Sequence, residues 1–396
     1  MATPALHDVR VLDLTRVIAG PFCTALLAEF GAEVIKVELP GRGDDARYGY
    51  PSVDDVPVAF LALNRNKKGI TLDLRKPAGA ALLFELVARC DVLVENFAAG
   101  TMTRWGFGYD VLCQKNPRLI YAALSGFGQT GPYAHRTSYD IIAQAMGGLM
   151  SLTGFPDAPP TRGGGSLGDY IGGLFAAVGI LGALHFRDQH GVGQLVDVSN
   201  MDAVFSILDN WPTVTAMTGR LPARLGNRHP FTAPYDCYLA SDGYVVIGVA
   251  NNQLFRTLMQ AIGQPELGRD PRFKSPSARL ERLDEINRII GDWVGQRPVA
   301  EVVRVLEAVG IPCAPVMTMD RLVTDPHLRA REMLVELAHP KIGPVTVPGV
   351  AVKLSASPGT VHSLGPDLGQ HNDDVYRGVL GLSADEVERL RQEQVI

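Results

Sequence analysis

Short apolar runs alternate with longer stretches of helical spacing along the first third of the chain. Val9–Leu14 (VRVLDL) predicts a strand, Pro21–Phe30 predicts a helix stopped by Gly31, and Ala32–Leu39 predicts the next strand. The pattern recurs in Ile70–Leu74, the Ala-rich helix Pro77–Cys90, Val92–Phe97 and Leu119–Leu124. Strands that alternate with helices pair in parallel, so the expected fold class is α/β, a Rossmann-like doubly wound sheet. After Tyr139 the pattern turns helical. A Pro/Gly-rich loop then covers Gly154–Gly165, and a long apolar helix follows it. The apolar run Ile171–Phe186, bounded by Asp169 and Arg187, falls short of the ~20 residues that span a bilayer and reads as a buried helix.

Residues 212–234 are rich in Pro, Gly and Arg and predict a linker. Beyond them, Tyr235–Ala240 and Tyr244–Ala250 flank Ser241-Asp242-Gly243, a hairpin signal. Helical segments continue to Val309, and a Pro-rich strand at Pro340–Pro348 leads to a terminal helix at Ala384–Glu393. The expected organisation is a large domain over 1–211, a linker over 212–234, a small α+β domain over 235–325, and a segment, 326–396, that returns to the large domain.

Composition narrows the function classes. The 396 residues carry 37 Lys+Arg against 42 Asp+Glu, a net charge of −5, which argues against a nucleic-acid partner. Five cysteines stand singly, without a Cys-x-x-Cys pair, as buried thiols of a reducing compartment do. The start, MATPALHDVR, has no basic region followed by an apolar one. The expectation is a soluble cytoplasmic protein with no membrane partner. Nine histidines lack metal-ligand spacing, so no metal site is expected.

Three stretches carry candidate chemistry. The turn Leu14–Gly20 lies where a dinucleotide fold binds pyrophosphate, with Glu38 at the ribose-binding place, but it lacks the three-glycine spacing. Gly164-Gly165-Ser166-Leu167-Gly168 fits the G-x-S-x-G nucleophile elbow, yet the residues before it make a poor strand, and that context is what the elbow requires. Asp169 follows at the mouth of the apolar helix. It can be an N-cap, or it can be a carboxylate held ionised by the helix dipole among glycines that leave room for a substrate. The basic cluster Asn64–Gly69, with Arg75, Arg104 and Arg136, is either a solvated surface or a set of cations gathering phosphates.

These blocks together resemble the family III CoA-transferases, a group that includes formyl-CoA and carnitine CoA-transferases and related acyl-CoA racemases. The resemblance runs through VRVLDLTRVIAGPF, GAEVIKVELPGRGDDAR, NRNKKGITLDL, DVLVENFAAGTMTRWGFGYD, LSGFGQTGPYAHRTSYD, SLGDYIGGLFAAVGIL and GQHNDDV. It implies that Asp169 attacks an acyl-CoA thioester, giving a mixed anhydride and then an aspartyl-CoA thioester that passes CoA to an acceptor acid. CoA is then a co-substrate, and no permanently bound cofactor is needed. The resemblance places CoA contacts at Arg16, Val17, Ile18, Leu72, Asp73, Leu74, Arg75, Asn96, Phe97, Ala98, Arg104, Arg136 and Thr137. Where some relatives carry basic side chains, this chain has Leu39 and Thr137. It further implies an interlocked homodimer.

Gly248-Val249-Ala250-Asn251-Asn252-Gln253 resembles the succinyl-CoA:glutarate and citramalate branch, and the resemblance makes Tyr139, Gly248, Asn251 and Asn252 candidate substrate contacts. Arg47 and Asn252 are available to hold a second carboxylate of the acid. The racemase branch uses a histidine where this chain has Tyr139, and a phenol is a poor base at neutral pH. A non-catalytic CoA-binding protein is the remaining reading, and the intact Asp169 speaks against it.

Overall fold

The computed structural model describes residues 3–48 and 51–396. The chain forms two compact units. The first gathers the chain up to Leu149 with Arg162–Ala216 and Pro326–Ile396, and the second gathers Met150–Thr161 with Met217–Asp325.

The first unit is built on six parallel strands: β1 (Arg10–Asp13), β2 (Glu33–Glu38), β3 (Lys68–Thr71), β4 (Val92–Glu95), β5 (Ile120–Ser125) and β6 (Leu195–Ser199). Their order in the sheet is β3-β2-β1-β4-β5-β6. The winding reverses between β1 and β4, where Val11 pairs with Val92. The crevice outside the carboxyl ends of these two strands is where such sheets bind ligands.

Alternation along the strands feeds two cores. Val11, Val34, Val92 and Val94 pack with helices α1 (Ala19–Glu29) and α4 (Leu167–His190) on one face. Leu12, Ile35, Ile70 and Leu93 pack on the other, against α2 (Pro77–Val87) and the C-terminal helices α10 (Asn372–Tyr376) and α11 (Ala384–Gln392). Helix α4 is long and apolar enough by composition to cross a membrane. Here one side of it, including Gly172, Gly173, Ala176 and Ile180, is buried against the sheet layer. A Cβ on Gly173 would stand 2.5 Å from the Ala19 carbonyl oxygen, so α1 and α4 meet at backbone distance.

Three segments differ from the pattern in the sequence. β3 ends at Thr71 rather than Leu74, because the Asp73 N–H turns away to the Val395 carbonyl at 2.8 Å. Strand β6 has no counterpart among the predicted elements. Trp211–Thr218 (α6) is helical where a linker is expected, with Pro212 in the first turn, where no backbone donor is needed.

In the second unit, hairpin strands β7 (Tyr235–Ala240) and β8 (Gly243–Gly248) are joined by β9 (Cys313–Pro315) in the order β9-β8-β7. Val245 and Ile247 pack with Phe255 of α7 (Asn252–Ala261), Ile290 of α8 (Leu283–Gly295) and Leu306 of α9 (Val299–Glu307).

Candidate active site

The turn after β1 is held in an unusual shape. Val17 has φ of +69°, a left-handed conformation that a β-branched residue adopts only under constraint. The constraint is visible on both sides of it. The Val17 N–H donates to Asp44 Oδ1 at 3.0 Å, and the Arg16 backbone exchanges two hydrogen bonds of 2.8 Å with the Asn96 carboxamide, at the end of β4. Lys36 Nζ donates to the Thr15 carbonyl and to Asp44 Oδ2, each at 2.9 Å. Beneath the turn, Asp13 accepts from Lys67 at 2.9 Å and from Thr24 at 2.7 Å. Burial would raise the Asp13 carboxyl, but the Lys67 and Lys36 charges hold it below its ordinary value. Burial pushes Lys67 down to about 8.

Asp169 faces this turn across a cleft lined also by Asn96, Ser125, Tyr139 and Asn200. It is the third residue of α4, whose cap position is Ser166, and it forms no cap of its own. The orphan N–H of Gly168 is met instead by Asp140 Oδ1, at 2.8 Å. Asp140 opens α3 (Asp140–Met146) and also accepts from Gln144 at 2.9 Å and from Arg162 at 3.1 Å.

The Asp169 carboxylate accepts one hydrogen bond, from Asn200 Nδ2 to Oδ1 at 3.1 Å, and Oδ2 accepts none among the described residues. Burial, with repulsion from Asp140, pushes Asp169 up to about 6, while the Asn200 bond pulls the other way. Desolvation is the largest of these effects, so a place in the first turn of a helix does not leave the group at its ordinary acidity. The result is a carboxylate more basic than an exposed one and still ionised at neutral pH, with a free oxygen facing the cleft. That group is equipped for nucleophilic attack on a carbonyl.

A second cleft shares Arg16 with the first. Leu39, Leu72, Asp73, Leu74, Arg75, Phe97 and Trp105 line it. The Phe97 and Trp105 rings meet edge-on at 5.2 Å, and Arg16 lies 5.3 Å from the Phe97 centroid. Ile18 lines the Asp169 cleft. Ala98, Arg104, Arg136 and Thr137 line neither cleft and are exposed. Arg104 donates to Thr101 Oγ1 at 2.8 Å, and Arg136 stacks 4.2 Å from the Tyr133 ring. In the second unit, Asn251 caps α7 through the Leu254 N–H and Asn252 accepts from buried Arg279, each engaged within that unit. Gly248 ends β8, where a Cβ would stand 3.0 Å from the Tyr235 ring.

Several expectations are corrected. The basic cluster is spent on pairs within the protein: Arg65 pairs with Glu29 in the core, Lys67 with buried Asp13, and half-exposed Lys68 with Glu33 at 2.6 Å. Arg47 is not a free cation for a second carboxylate. It forms a two-pronged pair with Glu38 at 2.7 and 2.8 Å and lies 3.7 Å from the Phe60 centroid. The same pair occupies Glu38, the group a ribose would need. Ser166 follows a loop and not a strand, so the nucleophile elbow is absent. Asn200, Asp140, Lys36 and Asp44 were missed as site residues. The only local signal for Asn200 was a polar residue directly after an alternating stretch, QLVDVS.

A carboxylate raised to about 6, held by one hydrogen bond in a cleft at the carboxyl ends of a parallel sheet, is placed to attack a carbonyl carbon, as an acyl-transfer protein requires. The particular family follows from comparison: residues 6–372 match the family model described as CoA-transferase family III, and the chain belongs to that family. It is 42% identical over 393 residues to a succinyl-CoA–D-citramalate CoA-transferase of Chloroflexus aurantiacus, covering 99% of this chain and 98% of that one. It is 44% identical over 346 residues to an acetyl-CoA:oxalate CoA-transferase of Acetobacter aceti, covering 87% and 88%. Its fold matches the crystal structure of a CAIB/BAIF family protein from Brucella suis with TM-score 0.85 and 34% identity, over 96% of this chain and 100% of that one. The chain is an enzyme that transfers CoA between carboxylic acids.

Proposed function

We propose that this enzyme moves CoA from an acyl-CoA, succinyl-CoA in the first place, to a short dicarboxylic acid through an aspartyl-CoA thioester on Asp169. The observation that carries this reading is Asp169 itself, raised to about 6, with Oδ1 held by Asn200 and Oδ2 open to the cleft. A carboxylate attacking a thioester yields an anhydride, and CoA thiolate returning to the aspartyl carbon releases the donor acid. Every step exchanges a carboxylate for a thiolate, so no proton donor and no further cofactor is needed.

The cleft with Phe97 and Trp105 offers aromatic faces for the adenine, and Arg16 offers charge for the phosphates, while Arg75 in the same cleft is held in a two-pronged pair with Asp73 at 2.8 and 2.9 Å. Arg16 is shared by both clefts, as a ligand running from the aromatic pair to Asp169 requires. The acceptors in the names of the two relatives, citramalate and oxalate, are both dicarboxylic acids, which supports that acceptor class. We also propose a homodimer. Leu174, Phe175, Val178 and Leu181 on the outer side of α4 are exposed in the single chain, an apolar face of the kind a second copy covers. The free thiols of all five cysteines suit a cytoplasmic setting.

Denaturing the enzyme after mixing with succinyl-CoA should leave CoA on the peptide that contains Asp169, and Asp169→Ala should abolish both adduct and turnover. A donor and acceptor panel read by mass spectrometry tests the substrates. Ready transfer from acetyl-CoA to monocarboxylates, with every dicarboxylate inert, would reject the substrate assignment and leave the family untouched.

A further inference from the structure

The side chain of Asn200 has an unusual setting. It begins α5 (Asn200–Phe205), directly after the cap residue Ser199 at the end of β6, and it is only 7% exposed. Nδ2 donates to Asp169 Oδ1 at 3.1 Å, while its own Oδ1 is buried without a hydrogen-bond partner among the described residues. The orientation of the amide follows from its neighbour, since an acceptor turned toward an ionised carboxylate would be repelled. Room for the amide comes from Gly172, one turn along α4 from Asp169. A Cβ there would stand 1.9 Å from Asn200 Oδ1 and 2.9 Å from Cγ. A buried amide with one polar atom unsatisfied has not been placed for stability.

We propose that Asn200 is a catalytic residue of this enzyme, the donor that stabilises the oxyanion formed on Asp169 when its Cγ is attacked. The proposal rests on the aspartyl-CoA reading. In the first step Asp169 Oδ2 bonds to the acyl carbon and the C–S bond breaks, releasing thiolate. Thiolate then attacks Cγ, a Cγ–S bond forms, and the carbonyl electron pair moves onto Oδ1. Collapse restores the carbonyl and expels the donor acid as a carboxylate, which carries off the bridging oxygen. The acceptor carboxylate later attacks the same Cγ, again loading charge onto Oδ1 before thiolate leaves. Oδ1 thus remains on Cγ through both displacements, and it is the oxygen Asn200 already holds, at a distance that suits an oxyanion donor. Gly172 is the positioning residue that leaves the amide its space.

Single-turnover formation of the CoA adduct, followed by quenching and mass spectrometry at pH 7 and pH 9, tests this on Asn200→Ala and Gly172→Ala. Removing one oxyanion donor lowers such rates by about 100-fold. We expect a loss of that order in both variants at both pH values, with the KM for acyl-CoA changed less than about threefold. Gly172→Ala keeps Asn200 and favours the helix, so it answers the question even if Asn200→Ala folds poorly. A loss under about tenfold in a folded variant overturns the proposal. So does a loss at pH 7 that vanishes at pH 9, because Asn200 would then serve only to keep Asp169 ionised. Absence of any adduct on the wild-type enzyme is a different failure, which rejects the aspartyl-CoA reading itself.

Discussion

Lys36 and Asp44 form an ion pair of 2.9 Å with both side chains fully withdrawn from solvent, and between them they hold the backbone of the turn that faces Asp169. Lys36 takes the Thr15 carbonyl, while Asp44 takes the Val17 N–H. The left-handed Val17 between them is kept by these bonds and not by its own preference.

Breaking that pair on one side should therefore be severe. Lys36→Met leaves the Asp44 charge buried and unpaired, which costs about 3–5 kcal/mol. Adding Asp44→Asn removes the stranded charge and keeps an oxygen for the Val17 N–H, so the double variant should recover much of the loss. Urea unfolding of the two variants measures this. Equal stability of single and double variants would mean that the pair does not act as a unit.

Asp169 should be a liability for folding at high pH. Its folded-state carboxyl is raised from 3.8 to about 6, so the folded chain holds this proton more tightly than the unfolded one. The stability linked to it is complete below the ordinary carboxyl value and is lost as pH rises through about 6. Asp169→Asn should then be more stable than wild type by on the order of 1 kcal/mol at pH 8, with the gap closing near pH 4. A gap that is constant with pH would disprove the link.

The same group should set the acid limb of the activity. With the free enzyme's nucleophile ionising near 6, kcat/KM should fall about tenfold for each unit of pH below that value and level off above it. A flat profile from pH 5 to pH 8 would remove Asp169 from the rate-limiting chemistry.

The aromatic cleft should act through the nucleotide end of CoA. Trp105→Ala should raise the KM for acyl-CoA about tenfold, because base–aromatic stacking is worth about 1–3 kcal/mol. Arg104, one residue away with its side chain bonded to Thr101, should matter less. A pantetheine thioester without the nucleotide should feel neither change. An equal penalty with both donors would place these residues in fold support.

Local pattern was enough for the sheet's centre. β1, β2, β4 and β5 announced themselves as short, mostly apolar runs, because both faces of a parallel sheet are buried, whereas the edge strand β3 meets its predicted run only at Ile70 and Thr71. Strand β6 escaped although LVDVS alternates, since it is only five residues long and, at the sheet's edge, mostly exposed or half-buried. The ordered blocks also disclosed the family and singled out Asp169, whose neighbours in sequence are part of the motif. Its chemical state was not legible, because desolvation and repulsion from Asp140 depend on packing. Asn200 is 31 residues from Asp169 in the chain and meets it only because the end of β6 lies beside the start of α4. The cluster Asn64–Lys68 taught the opposite lesson: as a string it is a basic patch, yet folding carries its cations to Glu29, Asp13 and Glu33. Charge type is a property of the sequence. Whether a charge is spent inside the protein or offered to a ligand was decided by tertiary structure alone, because burial and pairing are relations between residues that the chain keeps far apart.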